Sequence, residues 1–240
     1  MGWNALMASL SLHSDLEVFP PNRQGDGGSA WLLRSATGLA VLVDVPDLTP
    51  VHLERLQAEP RGVVVLTHRR NHGDWRRLQR LLGWPVVVHE QEAYLLPQLE
   101  PLSTFATGHD LEPGLRLLWT PGPTPGSCVL HWQQGERDVL FCGRLLLPDA
   151  AGGVRARRGP GTFHWPRHCR SLDRLLAWLP PGSPAEIACG AGLASLQDQP
   201  LVPAGRAALA AAAATPEPTR QVIGRFLAGG RVPWRDGQLP

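Results

Sequence analysis

Val63-Val64-Val65-Leu66-Thr67-His68-Arg69-Arg70-Asn71-His72-Gly73-Asp74 is the stretch on which the reading of the fold turns. Residues 62–66 form an unbroken apolar, β-branched run, the pattern of a strand covered on both faces. Two histidines and an aspartate able to cap a helix follow at once. Over residues 74–82, Trp75, Leu78, Leu81 and Leu82 then fall on one helical face, with Arg76, Arg77 and Arg80 mainly elsewhere. A buried strand, a polar loop and an amphipathic helix therefore follow one another.

Similar units lie on both sides. Residues 30–34 and 39–44 read as short strands joined by a turn at 35–38. Pro50 opens an amphipathic helix carrying Val51, Leu53 and Leu56, which ends at Pro60. Residues 85–89 read as another buried strand and 91–98 as a short helix. From 111 to 147 the texture is all-β, with strands at 115–119, 128–132 and 139–142. A helix at 171–179 stops at Pro180-Pro181, a strand follows at 186–189, and the alanine-rich run 207–214 is helical by propensity. A last helix is expected at 221–227. Sheets sandwiched between helical layers are the expected architecture, although periodicity leaves the topology open.

Composition narrows the function classes. The chain has 240 residues, enough for a larger domain with a substantial core, with 43% hydrophobic and 18% charged residues. We expect a main domain over residues 1–200 and a C-terminal helical extension over 201–240, packed on it or trailing from it. The net charge of +2 gives no support for nucleic-acid binding. Every basic residue is arginine, which reads as codon bias rather than as a demand for guanidinium groups. Cys128, Cys142, Cys169 and Cys189 form no C-x-x-C pair. No basic segment precedes the first apolar residues, and no uncharged apolar run reaches the ~20 residues that span a bilayer. A reduced, cytoplasmic setting without membrane attachment is expected. No G-x-S-x-G elbow or phosphate-cradling glycine loop is present.

Five short motifs in series resemble the metallo-β-lactamase superfamily. Residues 63–74 are similar to its strand ending in T-H-x-H-x-D-H. Thr120-Pro121-Gly122-Pro123-Thr124-Pro125-Gly126-Ser127 is similar to its T-P-G-H-T-P-G-S turn, and Val139-Leu140-Phe141-Cys142-Gly143-Arg144 to its L-F-x-G-D strand end. Ile187-Ala188-Cys189-Gly190-Ala191-Gly192 resembles its closing P-G-H-G turn, and Leu42-Val43-Asp44 its second-strand L-I-D. The resemblance spans roughly residues 30 to 195 and implies a four-layer αββα sandwich, an α/β (α+β) fold with the active site at one edge between the sheets.

The resemblance also implies metal chemistry, and here the chain departs from the pattern. Such hydrolases hold one or two metals, usually zinc, through histidines and aspartates that leave a position open for water. Pro123 stands where the T-P-G-H histidine would be, Arg144 where the bridging aspartate would be, and Ala191 where the last histidine would be. Proline and alanine offer no donor, and arginine is permanently cationic. The first motif admits two registers. Aligned on Asp74, Arg70 takes the first histidine position, His72 the second and Trp75 the last. Aligned on Thr67-His68, Arg70 takes the second and His72 the aspartate position.

The expected reading is a pseudoenzyme that binds a small molecule, an anionic one among the options, or a protein partner, with no cofactor. The alternative is a mononuclear hydrolase in which His68, His72 and Asp74 hold zinc, iron or manganese, with Asp74 as the catalytic group. In a third reading the chain is a structural or interaction protein whose old cleft is filled by Arg144, Trp75 and Pro123. An ion pair between Arg144 and Asp74 is expected at the former metal position. His164 and His168 have the i, i+4 spacing of a helical ligand pair, with Pro166 between them, and alternatively line the cleft mouth. Trp165 is a candidate ligand platform. An open pocket rimmed by Arg70, Arg144 and the Arg155–Arg158 loop would favour the ligand-binding reading.

Overall fold

The apolar run ending at Leu66 sorts its side chains by parity, as a strand with both faces covered must. Val63 and Val65 join one core with Leu16, Val18, Trp31, Leu33, Val41 and Val43. Val64 and Leu66 join a second core with Phe19, Leu32, Leu42, Leu56, Leu78 and Trp84. The same alternation carries through the neighbouring strands, so one sheet separates two apolar layers.

The computed structural model describes residues 9–22, 24–196 and 199–216. The first sheet has seven strands in sequence order: β1 (Leu10–His13), β2 (Leu16–Val18), β3 (Trp31–Arg34), β4 (Ala40–Val43), β5 (Gly62–Leu66), β6 (Val86–His89) and β7 (Leu102–Phe105). Its first half is antiparallel, and β4 through β7 run parallel. Helices α1 (Pro50–Gln57) and α2 (Trp75–Leu82) make the β4–β5 and β5–β6 crossovers, and their Leu56 and Leu78 seal the second core. Thr49 caps α1 by accepting the His52 N–H at 3.2 Å, and Pro50 occupies its first turn.

The described residues form eight further strands: β8 (Gly108–Glu112), β9 (Leu115–Trp119), β10 (Cys128–Gln134), β11 (Arg137–Gly143), β12 (Leu147–Pro148), β13 (Val154–Arg155), β14 (Glu186–Cys189) and β15 (Leu201–Val202). The second sheet has six of them in the order β15-β14-β11-β10-β9-β8, while β12 and β13 form a separate hairpin. Helices α3 (Trp165–Trp178) and α4 (Gly205–Ala214) cover its outer face through Leu172, Leu175, Leu209 and Ala212. Helix layer, sheet, sheet, helix layer is the αββα sandwich expected from the motifs. No helix among the described residues is long and apolar enough to cross a membrane.

Some boundaries differ from expectation. Helix α3 starts at Trp165 rather than residue 171, because Pro166 sits in its first turn, where its missing N–H breaks no hydrogen bond. The helix expected at 91–98 is a 3₁₀ segment, Glu90–Leu95. Strands β1, β2, β7, β8, β12, β13 and β15 are not among the expected ones, because each is only two to five residues long and offers too few alternating apolar positions to show a period. The helix expected at 221–227 lies outside the described residues.

Candidate functional site

The site is assembled where β4, β5, β11 and β14 end together. Asp44, just past β4, adopts φ +65°, a left-handed conformation that aspartate tolerates better than most residues. Its buried carboxylate accepts the Thr67 N–H at 2.8 Å, the Thr67 hydroxyl at 2.7 Å and the Asn71 amide at 2.7 Å. Burial, opposed by these hydrogen bonds and by Arg144, pushes its pKa up to about 6. Asp44 thus fixes the loop that carries His68 through His72.

Within that loop His68 caps the 3₁₀ turn Arg69–Asn71, its Nδ1 accepting the Arg70 N–H at 3.1 Å. Burial, reinforced by Arg144 and Arg70, holds its pKa well below the usual histidine range. The ring is therefore neutral at pH 7, and an engaged Nδ1 lone pair puts the proton on Nε2. His72 is also buried, and burial with Arg69 nearby lowers its pKa to about 4. Its Nε2 has no hydrogen-bond partner among the described residues, with the Glu92 carboxylate 3.9 Å away.

Asp74 caps α2, its carboxylate accepting the Arg77 N–H at 3.1 Å. Trp75 packs against the outer core with Arg76 stacked 4.6 Å from its ring centroid. Among the described residues, no group of three or more His, Cys, Asp or Glu side chains is arranged to hold a metal ion.

Gly143 brings β11 to this loop. It adopts φ +53°, and a Cβ there would lie 2.5 Å from the Thr67 hydroxyl. Next to it Arg144 turns inward, but the expected ion pair with Asp74 does not form. Instead Nε donates to Asn71 Oδ1 at 2.7 Å, and Nη2 donates to the backbone carbonyls of Gly25 and Asp26 at 2.7 and 2.9 Å. The Asp26 carboxylate lies 3.9 Å from Nη1 and also pairs with Arg70 at 3.0 Å. Asp74 is diverted because a helix N-terminus already offers its carboxylate unsatisfied N–H groups.

The turn at 120–127 closes the opposite side. Gly122 adopts φ +145°, and a Cβ there would fall 2.3 Å from His168 Cα, so α3 docks against bare backbone. The Pro123 carbonyl accepts the Phe163 N–H at 3.1 Å, and the Gly122 carbonyl accepts that of His164 at 3.0 Å. His164 caps α3 through Nδ1 and is exposed, whereas His168 is buried and donates Nε2–H to the Leu145 carbonyl at 2.7 Å. The two are thus held in separate local roles. Trp165 packs edge-on to His168 and against the core. Ala191 is buried and bridges to Gly28, outside the cavity lining.

These elements leave an open cavity of about 170 Å³ lined by His68, Arg70, Pro123, Arg144, Arg157 and His168, with residues 159–162 along its rim. Among the described residues, no aspartate or glutamate lines it. The residues that the sequence did not single out are Asn71 and Asp26. Asn71 lay in plain view between the two histidines, and Asp26 sat in a loop without motif or period.

A family model of the metallo-beta-lactamase superfamily matches residues 28–179. No curated protein matches the chain. Among solved structures, an archaeal metallo-beta-lactamase superfamily protein, ST1585 from Sulfolobus tokodaii, is 16% identical with a TM-score of 0.58, over 90% of this chain and 91% of its own. The metallo-beta-lactamase SMB-1 is 18% identical with a TM-score of 0.58, over 88% and 95%. TTHA1623, solved in a di-iron-bound form, is 26% identical with a TM-score of 0.56, over 78% and 94%.

Proposed function

This chain belongs to the metallo-beta-lactamase superfamily, and from that premise we propose that it is a metal-free, non-hydrolytic member that binds a small anion in its former active-site cleft. The observation that carries this reading is the cavity lined by Arg70, Arg144 and Arg157, with no acidic side chain among the described residues that line it. A guanidinium at the edge of a low-dielectric cleft favours an anion and repels a divalent cation.

The donor set does not fit a metal. Arg144, Pro123 and Ala191 stand at three positions that the resemblance assigns to ligands, and Asp74 is committed to capping α2. His68 turns its Nδ1 lone pair to a backbone N–H. That leaves Nε2 as a donor, and the ring becomes part of the anion site. The rival reading, a mononuclear hydrolase, draws on the unpartnered Nε2 of His72.

Elemental analysis separates the two. Untagged protein incubated with zinc, iron or manganese and then desalted is expected to retain no stoichiometric metal while unfolding cooperatively. Stoichiometric metal that disappears in His72→Ala would overturn the proposal and direct attention to hydrolysis.

A further inference from the structure

The cavity's three arginines arrive from separate segments, and their unused N–H groups define what the anion must look like. Arg144 comes from the end of β11 with Nε and Nη2 already engaged, so Nη1 is its remaining donor group. Arg70 comes from the 3₁₀ turn after β5 and uses Nη1 on Asp26, leaving Nε and Nη2. Arg157 comes from the segment between β13 and α3, and its guanidinium makes no hydrogen bond or ion pair among the described residues.

The loop that follows Arg157 packs against Arg70. Gly159 and Thr162 are tied by two hydrogen bonds, from the Gly159 N–H to the Thr162 hydroxyl at 2.8 Å and from the Thr162 N–H to the Gly159 carbonyl at 3.0 Å. A Cβ at Gly161 would fall 2.1 Å from Arg70 Nη2, which places this loop directly on the Arg70 head group. His68 lines the same cavity, with its Nδ1 already accepting the Arg70 N–H at 3.1 Å, so Nε2 is its remaining ring nitrogen.

A planar carboxylate is matched by one bidentate guanidinium, so three from different directions exceed what it can use. A phosphate monoester presents three terminal oxygens and nearly two negative charges at pH 7. Resting on the anion-binding reading above, we propose that the cavity is a receptor for a terminal phosphate monoester, with Arg70, Arg144 and Arg157 around the phosphate and His68 donating to it. Pro123, Leu147 and Pro160 give the neighbouring part of the ligand an apolar wall. Asp26, whose carboxylate pairs with Arg70 at 3.0 Å and lies 3.9 Å from Arg144 Nη1, competes with the ligand for them.

The test is isothermal titration of the full chain with phenyl phosphate, phenyl sulfate and benzoate at pH 7.5. Phenyl phosphate is expected to bind at least about tenfold tighter than either of the others, and Arg157→Gln to weaken it roughly tenfold to a hundredfold. Asp26→Asn is expected to tighten it several-fold, a gain that misfolding cannot mimic. Benzoate or phenyl sulfate binding as well as phenyl phosphate would overturn the phosphate assignment and leave the anion-binding reading standing. Binding of none of the three would overturn both.

Discussion

Arg144 and Asp44 make no direct ion pair; they grip opposite ends of one buried amide. Asn71 Oδ1 accepts Arg144 Nε at 2.7 Å, and Asn71 Nδ2 donates to Asp44 Oδ2 at 2.7 Å. The amide has a single satisfactory orientation, since its acceptor must meet the guanidinium and its donor the carboxylate. A cation from β11 and an anion from β4 are thereby linked across the two sheets. Asn71→Leu removes both contacts and leaves two charged groups short of partners. A loss of about 2–4 kcal/mol is expected in urea unfolding, and a loss under about 1 kcal/mol would show the bridge to be dispensable.

Restoring one carboxylate is not expected to restore a metal site. Arg144→Asp supplies the position that the resemblance assigns to a bridging aspartate, yet Pro123 and Ala191 still lack donors. Zinc titration of this variant should give no stoichiometric binding at micromolar zinc. Tight binding would show that Arg144 alone had closed the site.

Acid stability should be governed by opposing buried groups. Asp44 sits at about 6 in the fold against an ordinary 3.8, so the folded protein binds more protons than the unfolded chain between these values, and this group alone stabilises as pH falls through 6. His72 sits at about 4 against 6.5, so it binds fewer, and its contribution is lost as pH falls below 6.5. Each effect is on the order of 3 kcal/mol, and they oppose one another. His68, also held low, tips the balance. Unfolding free energy should therefore fall from about pH 6.5 to about 4.5, more steeply in Asp44→Asn and less steeply in His72→Gln. The opposite order of slopes would contradict this assignment.

Gly122→Ala should cost more than Gly143→Ala. A Cβ at Gly122 meets the backbone of His168, with Cα at 2.3 Å and N at 2.5 Å, whereas at Gly143 it meets the Thr67 side chain. A side chain can yield and a docked helix backbone cannot. Expected losses are about 4 kcal/mol or more against about 2 kcal/mol, counting the strain of a non-glycine residue at positive φ in both. Thermal unfolding of the pair checks the ranking.

Thiol reactivity should distinguish one cysteine from the rest. Cys128, Cys142 and Cys189 are buried, and Cys169 on α3 is partly accessible. Native protein is expected to react with a disulfide reagent at one thiol, and unfolded protein at four; faster labelling of Cys142 or Cys189 would mean that the β11–β14 core opens.

By itself the sequence determined the layered fold and the chemistry that the old metal positions can no longer supply. Period-two and helical patterns are local, and the identities of Pro123, Arg144 and Ala191 can be read without coordinates. Only the tertiary structure decided where Arg144 points. Its charge has to be satisfied wherever the buried chain offers partners, and the nearest are the Gly25 and Asp26 carbonyls and Asn71, from loops distant in sequence. Asp74, the partner suggested by charge, was claimed by the N-terminus of its own helix. Local patterns report which side chains must be buried, whereas the partners of a buried polar group depend on which loops the fold brings to it.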